Sequence, residues 1–231
     1  MAYAPATPYG GGNVMELREG LEKLKKAALL YIVSALLTGI GSMALLSSGA
    51  LSGATGALSR AIGMFVAALV GAILGLAALF AFLVPSFSSL RNYDTSRFGT
   101  PAKLVKIGYG GGLVLFFIAM LLFVAAIYAK SLGVVFAGLG LFGIASILLF
   151  IGMIGIIMGM FKLKEITGEG LFTAAGVLFI VGIFVSILTF IAWILVFVAA
   201  GKALNRIGAG GYVAPPPAQP AAPGAPPPPP A

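Results

Sequence analysis

The chain is predicted to fold as an all-α, polytopic integral membrane bundle of about five transmembrane helices. Three observations predict it. Of its 231 residues, 60% are hydrophobic and only 9% charged, whereas a water-soluble domain carries about a quarter charged residues to clothe its surface. Five charge-free apolar runs divide it, at 27–46, 61–85, 107–129, 131–161 and 171–200. Each reaches about 20 residues, the length an α-helix needs to cross roughly 30 Å of hydrocarbon at 1.5 Å per residue. The lysines and arginines flank these runs and never enter them.

The elements follow in order. Residues 1–13 are uncharged and rich in small residues, Pro and Gly, and are expected to be disordered. No cleavable signal peptide is read there, so the first membrane helix is expected to serve as the insertion signal. The membrane domain covers 14–207. It opens with Val14, Leu17, Leu21, Leu24 and Ala28 at three- and four-residue steps and charges between them, the pattern of an amphipathic helix at the membrane surface.

Residues 47–60 read as a short Gly/Ser/Ala loop and residues 86–106 as the longest polar connection. Within the latter, Thr100–Pro101 offers a helix start, a hydroxyl cap followed by proline at the first helical position. Lys130 alone separates the third and fourth runs, which predicts a tight turn. The last two runs are too long for a straight crossing and too short for two crossings with a turn. Each is therefore expected to be one tilted helix. Residues 208–231 form a Pro-rich tail, expected to be an extended polyproline-II segment without a core.

Side-chain chemistry narrows the function classes. The chain has no cysteine and no histidine, which removes disulfides, Cys or His metal ligands and nucleophiles, and histidine proton relays. Its carboxylates are Glu16, Glu19, Glu22, Asp94, Glu165 and Glu169, all outside the apolar runs, and no two form an acid/base pair. Ionisable groups deep in the membrane mark ion sites and proton paths, and this chain has none. No catalytic, cofactor-binding or metal-binding residue is assigned, no cofactor is expected, and an enzyme is not.

The formal net charge is +8. The basic residues flank membrane runs, so the expected counter-charge is anionic lipid headgroups at Lys23, Lys25, Lys26, Arg91, Arg97, Lys103 and Lys106, and not nucleic acid. With the N-terminus cytoplasmic, ten lysines and arginines collect inside. Arg60, Lys130, Lys202 and Arg206 are left outside, which favours N-in and, with five spans, C-out.

Four motifs stand out in the sequence. Ile107–Gly108–Tyr109–Gly110 resembles the end of a potassium-channel filter, but Lys106 would repel cations and no returning loop fits. Gly138–x–Gly140–x–x–Gly143 matches a dinucleotide-binding string, yet lies inside an apolar run where helix packing is the better reading. Gly71 and Gly75, Gly155 and Gly159, and Gly182 and Ser186 are small-xxx-small pairs suited to close helix packing. Ser34, Thr38 and Ser42 make a polar stripe, read as interhelical hydrogen bonding, with a lining for a solute path as the sharper alternative.

The stretch from Glu16 to Lys26 followed by AALLYIVSALLTGIG resembles the start of archaeal multi-pass membrane proteins grouped as a domain of unknown function, the 973 family. The segment Tyr93 to Gly108, with Phe98, Pro101 and a Lys–Ile–Gly entry into a span, is similar as well. The resemblance covers residues 15–207 and implies an archaeal cell membrane. It carries no functional residues. The function expected is a non-enzymatic membrane scaffold or interaction protein, with possible association into homo-oligomers or with other membrane proteins. The alternative is transport or permeation of a small uncharged solute or a lipid.

Overall fold

The computed structural model describes residues 14–48, 63, 66 and 70–209, with the side chains of 40–48 and 127 excepted. The expected disordered N-terminal tail, the loop 47–60 beyond Ser48, most of 61–69 and the proline-rich tail beyond 209 lie outside the described residues, as does the side chain of Ser42. The described residues are helical, with no strand among them, and include four helices long and apolar enough to cross a membrane, consistent with a bundle of about five spans.

Helix α1, Val14–Ser48, joins the amphipathic opening and the first span without a break. Helix α2, Val70–Tyr93, contains a π-helical stretch at Ala78–Leu83. After a kink at Asp94, α3 runs continuously from Thr95 to Ala129, again with a π-helical stretch, Lys106–Gly111. Lys130 turns the chain in the left-handed region, with φ 48°, and α4 occupies Leu132–Thr167. Gly168, at φ 67°, ends α4 by giving its N–H to the Lys164 carbonyl, as a left-handed glycine cap does. Two further helices follow, α5 at Leu171–Gly182 and α6 at Ser186–Gly208.

Two expectations are corrected. The polar segment 86–106 is not a connection, and Thr100–Pro101 does not start a helix, because Pro101 lies inside α3. The start belongs to Asp94, whose extended backbone and Oδ1 accepting from the Arg97 N–H cap the first turn. A carboxylate outranks the hydroxyl because it also meets the positive end of the helix dipole. The run 171–200 is not one tilted helix but breaks at Ile183–Val185 into two antiparallel arms, α5 and α6. Here Gly182 allows close approach, and Thr189 Oγ1 donates to its carbonyl at 3.3 Å. The run 131–161 does form one helix, which continues through Lys162, Lys164 and Glu165.

α1 packs antiparallel on α2 and on α6, while α4 contacts α3 and α5. Tyr31 of α1 stacks on Trp193 of α6 with ring centroids 4.4 Å apart, and Phe179 of α5 meets Trp193 edge-on at 5.1 Å. Gly108 of α3 lies close against the backbone of α4, so that a Cβ on Gly108 would strike Gly152 and one on Gly152 would strike the Tyr109 ring.

Burial is uneven along the bundle. Leu17, Leu21, Leu24, Phe87, Leu90, Phe98, Val105, Met160, Leu163, Ile166 and Phe172 form a closed core toward one end. Farther along, Val114, Phe117, Leu121, Phe136, Ile144 and Ile147 are exposed. Large apolar side chains exposed in a band suit lipid, which solvates them at no cost. α4 has 36 residues, about 54 Å at 1.5 Å per residue, more than a crossing needs. Its surplus turns carry Met160, Leu163 and Ile166 into the closed core.

Candidate functional site

The closed-core end of the bundle gathers the charge. Gly20 lies against Leu90, and Ser86 Oγ donates to the Gly20 carbonyl at 2.7 Å, which places the start of α1 beside the end of α2. Lys25 Nζ sits 5.2 Å over the Phe197 ring and close to Gly201, which brings the end of α6 to the same level. The end of α4 and the start of α5 join them through Glu169, whose Oε2 lies 3.1 Å from Arg206 Nη2 and whose Oε1 lies 4.0 Å from Lys202 Nζ. Arg206 also donates to the Thr167 carbonyl at 3.4 Å.

Twelve of the thirteen described lysines and arginines and all six carboxylates therefore lie in one half of the bundle. The exception among them is Lys130 at the opposite turn. The expectation that Lys202 and Arg206 oppose Lys162 and Lys164 is corrected. The helix break at 183–185 returns α6 to the end from which α5 departs.

Four of the carboxylates are engaged locally. Arg18 pairs with Glu22 at 3.0 Å, Lys23 with Glu19 at 2.6 Å and Lys162 with Glu165 at 2.9 Å, each about one helical turn apart. Asp94 is buried and binds the Ser96 hydroxyl at 2.6 Å besides capping α3. Glu169 is 8% exposed at its side chain while Arg206 is 57% exposed, so water screens the pair and its worth is about 1 kcal/mol or less.

Among the seven cations expected to meet headgroups, Lys23 and Arg97 are engaged by Glu19 and Asp94 and Lys25 by Phe197. Lys26, Arg91, Lys103 and Lys106 are exposed and have no ion pair among the described residues, and Lys164 joins them. Among the described residues no group of three His, Cys, Asp or Glu could hold a metal ion.

The remaining sequence candidates have definite places. Ser34 Oγ donates to the Gly71 carbonyl at 2.8 Å, and Thr38 Oγ1 donates to the Ser34 carbonyl at 2.9 Å. A Cβ on Gly71 would meet Thr38, and one on Gly75 would stand 3.8 Å from Ser34 Oγ. Gly155 faces Leu104 and Val105, Gly159 the Phe87 ring and Gly182 Thr189, while Ser186 begins α6. The filter-like string lies within the π-helical part of α3. The GxGxxG string lies within α4, with Gly138 against Phe123 and open space at Gly140 and Gly143. The Glu169–Arg206 tie could not be read from the sequence, because an uninterrupted apolar run of about 30 residues hides the turn between its partners.

This arrangement, with four helices long and apolar enough to cross a membrane, defines a helical membrane protein with one strongly basic half. The chain belongs to the family described as protein of unknown function (DUF973), the match covering residues 18–228. No curated protein and no solved structure matches it.

Proposed function

We propose that the protein is a non-enzymatic membrane scaffold or interaction protein of an archaeal-type cell membrane, with its N-terminus on the cytoplasmic side. The observation that carries the reading is the bond from Ser34 to the Gly71 carbonyl at 2.8 Å. Ser34, a member of the polar stripe that could line a solute path, is spent there on holding α1 to α2. Gly155 and Gly159 are likewise occupied by neighbouring side chains, and a membrane interior held by close packing suits a structural role.

The basic half binds anionic headgroups through Lys26, Arg91, Lys103, Lys106 and Lys164, each worth about 1 kcal/mol near a charged leaflet. Lys23, Lys25 and Arg97 act there in part, because their protein partners compete. Gly140 and Gly143 face open space on α4 and suit a second copy or another membrane protein.

Two measurements test the reading. Purified protein in sealed vesicles is expected to admit small uncharged solutes no faster than protein-free vesicles. Uptake that disappears in Ser34→Ala replaces the scaffold with the transport reading. Affinity capture from native membranes is expected to retain a specific membrane partner. Recovery of none, by the full chain or by one ending at Gly208, removes the scaffold reading.

A further inference from the structure

We infer that α5 and α6 form a re-entrant hairpin that enters the acyl-chain layer from the basic side, turns inside it at Ile183–Val185 and leaves on the side it entered. The occupant of its outer face is the acyl chains of the basic-side leaflet, and Gly208, at the end of α6, lies on the same side of the membrane as Val14. The inference does not rest on the scaffold reading.

Length comes first. α5 has 12 residues, about 18 Å at 1.5 Å per residue, against a hydrocarbon core of roughly 30 Å. α6 has 23 residues, enough to cross by itself, but it is bound along α5. Thr189 meets Gly182 near the tip, Trp193 meets Phe179 midway, and Arg206 meets Glu169 and Thr167 at the mouth. Both mouths are thereby fixed at one level, and the tip lies no deeper than α5 reaches.

The tip has the chemistry of a turn made for lipid. Ile183, Phe184 and Val185 are apolar, and Phe184 is 85% exposed. A turn in hydrocarbon must satisfy its own peptide groups. Here the N–H of Phe184 donates to the Val181 carbonyl at 3.0 Å, that of Val185 to the same carbonyl at 3.2 Å and that of Ile183 to Ile180 at 3.4 Å. The Gly182 carbonyl receives Thr189 Oγ1. A water-facing turn would have no use for three bulky apolar residues.

Charge agrees. Returning α6 puts Lys202 and Arg206 with the other ten cations of the basic half, as the preference of lysine and arginine for one side requires.

The chain lacks cysteine, so single cysteines report position cleanly. Val14→Cys, Ala209→Cys and Ser131→Cys are placed in sealed vesicles of uniform orientation and treated with a membrane-impermeant maleimide. Val14→Cys and Ala209→Cys are expected to label from one side and Ser131→Cys from the other. Labelling of Ala209→Cys together with Ser131→Cys overturns the proposal. In a second measurement a nitroxide at Phe184→Cys, a position exposed enough to leave packing alone, is expected to be relaxed by oxygen and not by a water-soluble nickel chelate. Relaxation by the chelate from either side means that the tip is in water, and the hairpin is then not re-entrant in lipid.

Discussion

Gly108 and Gly140 differ by what surrounds them, and the same substitution separates them. A Cβ on Gly108 would strike the Gly152 backbone, whereas one on Gly140 would meet nothing within 4 Å. Gly108→Ala is therefore expected to destabilise the protein by about 1–3 kcal/mol, the usual cost of forcing atoms into a packed contact. Gly140→Ala is expected to be neutral or slightly stabilising, because alanine is the better helix former. Reversible unfolding in mixed micelles measures both. Equal effects would mean that the α3–α4 contact is not as close as it stands. The sequence marked Gly108 as part of a filter-like string and of a span entry but not as a packing residue, because what makes a glycine indispensable is its neighbour across the interface.

At the scale of elements, Asp94 and the break at 183–185 decide how the chain is divided. Asp94→Ala removes the side-chain acceptor for the Arg97 N–H, and the loss of such a cap costs about 1 kcal/mol. The start of α3 is expected to fray, seen as faster amide exchange over Thr95–Phe98. Unchanged exchange there would transfer the cap to another residue. The apolar runs themselves were legible, since charge-free length is a one-dimensional property. The polar segment 86–106 and the run 171–200 were not. Polarity suggested a loop where Phe98, Ala102 and Val105 are buried against α4, and tertiary contact outweighed it. Hydrophobicity suggested one helix where Glu169 and Arg206 draw the two ends together.

For the whole molecule, orientation in the membrane rests on a charge distribution shared among several helices. Replacing Lys23, Lys25 and Lys26 together with Gln leaves nine of the twelve cations of the basic half in place, and the positive side remains the positive side. The triple variant is expected to keep the orientation of the parent, read as the same labelled fraction at Val14→Cys. A substantial inverted fraction would show that the first helix alone sets the topology.

The sequence by itself determined the solvent, the helical class and the absence of thiol and imidazole chemistry, because composition and the length of apolar runs act locally. Only the tertiary structure decided that Lys202 and Arg206 share an end with Lys25, that Ser34 is committed to the Gly71 carbonyl of α2, and that α5 and α6 are two arms. Those are relations between residues distant along the chain, and no local pattern encodes which backbone carbonyl or carboxylate each will meet.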